Sequence, residues 1–84
     1  MEPKLKEVRE LVDVKPVIGD IVTEIKWAKI AKNYFGKSSS WIYNKLLGID
    51  GNGGVGGFTE KEVEMLRDAL LDYSERLRAA AARL

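Results

Sequence analysis

The sequence predicts an all-α fold, a small bundle of about five helices with a helix-turn-helix-like corner and a long C-terminal helix. Three observations carry that expectation. Apolar residues recur at intervals of three and four along most of the chain. The β-branched run of residues 17–25 has no second run to pair with as a strand. The last third opens on Thr59-Glu60-Lys61-Glu62, a capping-box signature, and then stays periodic to its end. With 84 residues the whole chain, 1–84, is expected to be one domain. A chain this short buries about 60–65% of its unfolded surface around a single core, which leaves little room for a deep pocket.

Taken in order, Leu5, Val8, Leu11 and Val12 stand at helical spacing after Pro3, whose ring suits a first turn. That helix is expected to end near Val14, because Pro16 biases Lys15 away from helical geometry. Residues 17–25 read as a short helix or an irregular core segment. Trp27, Ala28, Ile30, Ala31, Tyr34 and Phe35 trace a short amphipathic helix that stops at Gly36. Ser38 caps the next helix, with Trp41, Ile42, Leu46 and Leu47 as its apolar positions and Gly48 as its end. The corner therefore spans about 27–47. Residues 48–57 hold six of the eight glycines and read as a mobile or tightly turned connector. In the last helix, about 60–82, Phe58 and Val63 occupy the hydrophobic-staple positions. Val63, Leu66, Leu70, Tyr73 and Leu77 form its apolar row, and Asp72 and Arg76 stand as an i,i+4 pair.

Composition excludes several classes of chemistry. With no cysteine and no histidine, the chain has no disulfide, no zinc finger, no Cys or His nucleophile and no serine triad. No apolar run approaches the ~20 residues of a membrane span, and the first residues, Met-Glu-Pro-Lys-Leu-Lys, lack the apolar stretch of a signal peptide. The expectation is a cytoplasmic protein without membrane attachment. Gly51-Asn52-Gly53-Gly54-Val55-Gly56 matches a dinucleotide-binding pattern in letters, but it lacks the strand before it and the βαβ unit around it. Asp50-Gly51-Asn52 opens like a calcium loop, yet Lys61 falls where calcium needs a carboxylate. No cofactor, metal or small-molecule substrate is expected. The paired carboxylates Glu60 with Glu64 and Asp68 with Asp72 read as a solvated helix face, so the chain is expected not to be an enzyme.

The net charge of +1 is unevenly distributed. Residues 1–25 carry four basic and six acidic groups, a balance of −2, and residues 50–84 carry five and seven, again −2. Between them, Lys26, Lys29, Lys32, Lys37 and Lys45 give residues 26–49 a charge of +5 with no acid at all. Such a segment presents a positive face to a polyanion or solvates two short helices.

Ala31 in one short helix, Gly36 in the turn and Ser38-Ser39-Ser40-Trp41-Ile42-Tyr43-Asn44-Lys45-Leu46 in the next resemble the helix-turn-helix of lambda-repressor-like bacterial and phage regulators. Ile42 and Leu46 point inward, while Ser39, Ser40, Tyr43 and Asn44 point out. Four residues separate Ala31 from Gly36 where that motif has three, an extra residue to be taken up in a tighter or longer first helix. Lys37 replaces an apolar turn residue, and Lys45 takes a position commonly buried. The run Ile30-Ala31-Lys32-Asn33-Tyr34-Phe35-Gly36-Lys37-Ser38, with Trp41, Tyr43 and Phe58-Thr59 downstream, is similar to a family of small uncharacterised gut-bacterial proteins, over roughly residues 25–78. That resemblance implies an all-α fold and no assigned activity.

The function expected is DNA binding of helix-turn-helix type, in a small transcriptional regulator of bacterial or phage origin with double-stranded DNA as partner. Ser38, Ser39 and Ser40 would stand at the mouth of the groove, Asn44 would read adenine, and Tyr43 would touch a phosphate or a thymine methyl. Lys29, Lys32, Lys37 and Lys45 would supply phosphate attraction. The alternative is a protein-interaction or homodimerisation module without nucleic-acid binding. There the end of the last helix offers Leu77, Ala80, Ala81 and Leu84 to a second copy.

Overall fold

The computed structural model describes residues 11–50 and 54–84. Four helices lie among them: α1 (Lys15–Ile18), α2 (Trp27–Ile30, continued without a break by a π-helical segment, Ala31–Phe35), α3 (Ser39–Leu47) and α4 (Glu60–Ala82). No strand occurs among the described residues; two isolated antiparallel bridges, Val12 with Phe58 and Ile49 with Val55, are the only sheet-like pairings there. The fold is all-α with a long C-terminal helix, as the periodicity predicts, and the described residues hold four helices where about five are expected.

The count differs at the helix expected from Pro3 to near Val14. Most of it lies outside the described residues, and at 11–14, where comparison is possible, the chain is not helical. Val12 instead exchanges both backbone hydrogen bonds with Phe58, at 2.7 and 3.2 Å, which ties the start of the described chain to the foot of α4. Pro16, expected to end a helix, sits in the first turn of α1. A proline suits that position because its missing N–H has no intrahelical partner there. Asp13 accepts the Lys15 N–H at 3.0 Å just ahead of that turn. After Ile18 the chain proceeds by single turns, Ile21 to Ile18 and Glu24 to Ile21, both 2.9 Å.

The core is built where the helical rows converge. Trp27, Ile30 and Ala31 of α2, Ile42 and Leu46 of α3, and Leu66 and Ala69 of α4 are buried together with Val14, Ile18 and Phe58. Trp27 is the largest, and its indole N–H donates to the Val22 carbonyl at 2.7 Å, so its one polar atom is satisfied. Phe58 and Val63, placed to staple the start of α4, are respectively buried and packed against that core.

The corner between α2 and α3 shows where the extra residue goes. The helix widens rather than tightens: the Gly36 N–H reaches back five residues to the Ala31 carbonyl, and the Lys37 N–H joins it at 3.0 Å. A π-helical turn is the usual way to hold one additional residue without breaking a helix. Gly36 then takes φ 67°, ψ 32°, the left-handed geometry in which a side chain is strained. Ser38 caps α3 by accepting the Trp41 N–H at 3.1 Å. Thr59 and Glu62 form the full capping box of α4, at 2.9 and 3.1 Å.

The described parts of the glycine-rich connector are tightly turned. Gly56 donates to the Gly48 carbonyl at 2.8 Å, and Gly54 donates to the Asp50 carboxylate at 2.8 Å. A Cβ on Gly56 would stand 2.4 Å from the Ile49 carbonyl oxygen, a backbone atom, so only glycine fits this approach.

Candidate nucleic-acid interface

The candidate face is the solvent side of α3 and the turn that leads into it. At about 100° per residue, Ser39, Tyr43, Leu47, Ser40 and Asn44 fall on one continuous arc, with Leu46 and Ile42 just beyond its Ser39 edge and Lys45 and Trp41 on the opposite side. Burial follows the same division. Ser39, Ser40, Tyr43 and Leu47 are exposed, Asn44 is half-buried at the edge, and Ile42 and Leu46 are buried. Tyr43 leaves 45% of its surface to solvent, so its ring and hydroxyl are open to a partner. Ser38 spends its hydroxyl oxygen on the cap and fixes the direction of the helix start.

The four lysines of the candidate site do not share one direction. Lys32 and Lys37 are exposed, on the π-helical segment and in the turn ahead of Ser38, and neither forms an ion pair among the described residues. The Lys37 ammonium stands 5.8 Å from the Trp41 ring centre. Lys29 is exposed too, but it lines a separate cleft against α4. Lys45 is drawn into the structure. Its ammonium meets the Glu62 carboxylate at 2.9 Å, with both side chains about four-fifths covered, and it lies 5.4 Å from the Trp41 ring centre. Burial pushes the Glu62 carboxyl up, but hydrogen bonds from Lys45 and the Thr59 amide outweigh it and hold the group below its usual value. Trp41 itself is half-buried, packed at 5.0 Å on Phe35 and edge-on at 6.5 Å to Phe58. Ser38, Ser39, Ser40, Tyr43 and Asn44 thus stand on α3 and its cap with Lys32 and Lys37 exposed ahead of them, while Lys29 lines the cleft against α4 and Lys45 is held by Glu62.

A family model described as a domain of unknown function, DUF5053, matches residues 14–84. The chain belongs to that family. The DUF5053 span begins at Val14, the residue that leads into α1, and takes in the corner, the connector and all of α4. Neither the curated proteins nor the solved structures yield a match. No helix among the described residues is long and apolar enough to cross a membrane.

Within the DUF5053 span the fold also assembles a cleft that sequence reasoning missed. Lys26, Lys29, Ile30, Asn33 and Tyr34 of the α2 region and Tyr73 and Arg76 of α4 enclose about 320 Å³. Asp72 and Arg76, an i,i+4 pair by spacing, meet through a third residue: the Tyr34 hydroxyl donates to Asp72 and accepts from Arg76 at 3.3 Å. That contact raises the Arg76 pKa above its usual value. Lys26 was visible as one of five lysines in the acid-free segment, but Tyr34 lies 38 and 42 residues from its two partners, a separation no local pattern encodes.

Proposed function

We propose that this chain is a small DNA-binding protein whose α2–α3 corner acts as a helix-turn-helix, with α3 entering the major groove. The observation that carries the reading is the solvent-facing arc of Ser39, Ser40, Tyr43 and Asn44, set on a capped helix in a segment that contains no acid from 26 to 49. The π-helical widening supports it, because it takes up the one residue by which this corner departs from a lambda-repressor-like turn. Ala31 still packs, fully buried, and Gly36 still makes the turn. On this reading Ser39 and Ser40 contact phosphate or base edges at the helix start, and Asn44 presents the donor and acceptor that adenine N7 and N6 require. Tyr43 meets a phosphate or a thymine methyl, and Lys32 and Lys37 attract the backbone. Lys45 remains with Glu62 and takes no part. The biological setting implied is a cytoplasmic regulator of bacterial or phage type.

Fluorescence anisotropy of a labelled mixed-sequence duplex, titrated with the full chain at low and moderate salt, tests the proposal. Saturable binding that falls steeply with salt, and falls further in Lys32→Glu and Lys37→Glu, is the expected result. No binding at low salt would remove it.

A second reading, pairing of two copies through α4, has its own observation. Every residue from 74 to 84 is exposed, including Leu77 and Leu84, although Leu66 and Ala69 on the same helix are buried. At ~1.5 Å per residue, residues 77–84 run about 12 Å beyond Arg76, which still bonds Tyr34. This end carries the apolar row, now Leu77, Ala80, Ala81 and Leu84, into solvent. Sedimentation of the intact chain against one cut after Arg76 decides it: a dimer that becomes a monomer supports the pairing, and a monomer in both removes it. The two readings are compatible, since helix-turn-helix proteins commonly bind as dimers.

A further inference from the structure

We propose that the cleft between α2 and α4 is an anion site that takes a phosphate group, held by the ammonium groups of Lys26 and Lys29 and the guanidinium of Arg76. Three cations from two helical regions line one concavity of about 320 Å³, and neither lysine has a carboxylate partner among the described residues. Elsewhere, Lys15 pairs with Asp13 at 3.0 Å and Lys45 with Glu62 at 2.9 Å. Arg76 feels the nearby Asp72 carboxylate, but the two lysines beside it have no such offset among the described residues. Like charges lining one cleft are relieved by an anion.

The nearest acid does not fill that role. Asp72 accepts the Tyr34 hydroxyl, and the same hydroxyl oxygen accepts one Arg76 N–H at 3.3 Å, so Tyr34 stands between the two charged groups. This fixes the guanidinium while using one of its five donors, and its planar fork suits two oxygens of a phosphate. The Asn33 amide adds a neutral donor, and the Tyr34 and Tyr73 rings wall the rest of the cleft, leaving room for the group that carries the phosphate. A monoester, at about −1.5 to −2 near neutral pH, matches three cations better than a singly charged diester does. The charge match favours a free phosphorylated small molecule, and the diester backbone of a nucleic acid is the other outcome of the test.

Amide NMR of the full chain, titrated separately with inorganic phosphate, adenosine monophosphate, adenosine and an unphosphorylated mixed-sequence duplex, tests the site. Phosphate and the monophosphate are expected to shift the amides of 26–34 and 73–76 saturably, and adenosine is expected not to. Lys26→Ala and Lys29→Ala should each weaken the monophosphate by about tenfold or more, the scale of one lost charge-assisted hydrogen bond. Lys61→Ala, an exposed lysine at the start of α4, should leave it unchanged. Both cleft lysines are exposed and their side chains form no hydrogen bond or ion pair among the described residues, so removing those side chains does not threaten folding. If the duplex shifts the same amides and the monophosphate displaces it, the natural source is the backbone; if only phosphate and the monophosphate act there, it is a small molecule. The proposal is overturned if no probe shifts these amides, or if the shifts survive Lys29→Ala undiminished. Lys32 and Lys37 lie outside the cleft, so its failure and that of the α3 face are separately visible.

Discussion

Lys45 and Lys29 come from the same acid-free stretch and carry the same charge, yet the fold gives them opposite work. Around Trp41, charge is consumed by structure: Lys45 is locked to Glu62 and lies beside an indole ring that also touches Phe35 and Phe58. On the α2 side, charge is left over: Lys29 is exposed and its ammonium has no partner among the described residues. Charge in a sequence therefore says how much cation a segment holds, and only the partners across the fold say how much of it remains for a ligand. The +5 of residues 26–49 is a smaller effective charge at the corner, where Lys32 and Lys37 have no ion pair among the described residues.

The comparison can be broken most strongly at its aromatic centre. Trp41→Ala removes the ring that joins Phe35, Phe58 and two lysines, and is expected to cost ~3 kcal/mol in chemical denaturation, the low end for a tryptophan because the ring is half-buried. A loss below ~1 kcal/mol would mean that the ring is an ornament of the surface. Lys45→Gln keeps most of the stem and deletes the charge, so about 1 kcal/mol is expected from the lost ion pair. The pH dependence sharpens the same point. Glu62 titrates below its usual 4.5 in the folded chain, so its contribution is full above that value and fades as pH falls through the lower folded pKa. Melts from neutral pH to pH ~3 should therefore show a steeper acid loss in the wild type than in Lys45→Gln. Lys29→Ala, on the other side of the comparison, is expected to stay within ~0.5 kcal/mol of wild type.

The sequence made the local devices legible because each is complete within a few residues. The Ser38 cap, the Thr59–Glu62 box, and Gly36 and Gly48 at φ 67° and 78° all belong to this class. What was illegible joins distant residues. The Val12–Phe58 bridge replaces the end of an expected helix, and nothing near Val12 announces a partner 46 positions away. Pro16 reads as a stop in the sequence because both its roles, ending one helix and starting another, leave the same local trace. The extra residue before Gly36 is visible in the sequence, but tightening, lengthening and widening of the helix leave the same local pattern, and the structure widens it. For the site, the Ser39–Ser40–Tyr43–Asn44 arc followed from helical periodicity alone. The withdrawal of Lys45 depended on Glu62, which reaches it only through the packing of α3 near the foot of α4.

The sharpest single measurement is the salt dependence of duplex binding in Lys37→Gln and Lys45→Gln, two lysines that both lie within 6 Å of the Trp41 ring centre. If Lys37 serves the duplex and Lys45 serves the fold, Lys37→Gln weakens binding and lowers the salt slope by about 1, the mark of one lost phosphate contact. Lys45→Gln then lowers the melting temperature and leaves the slope alone. Equal loss of slope in both variants, or a wild-type chain that leaves the duplex unbound at low salt, would contradict the account.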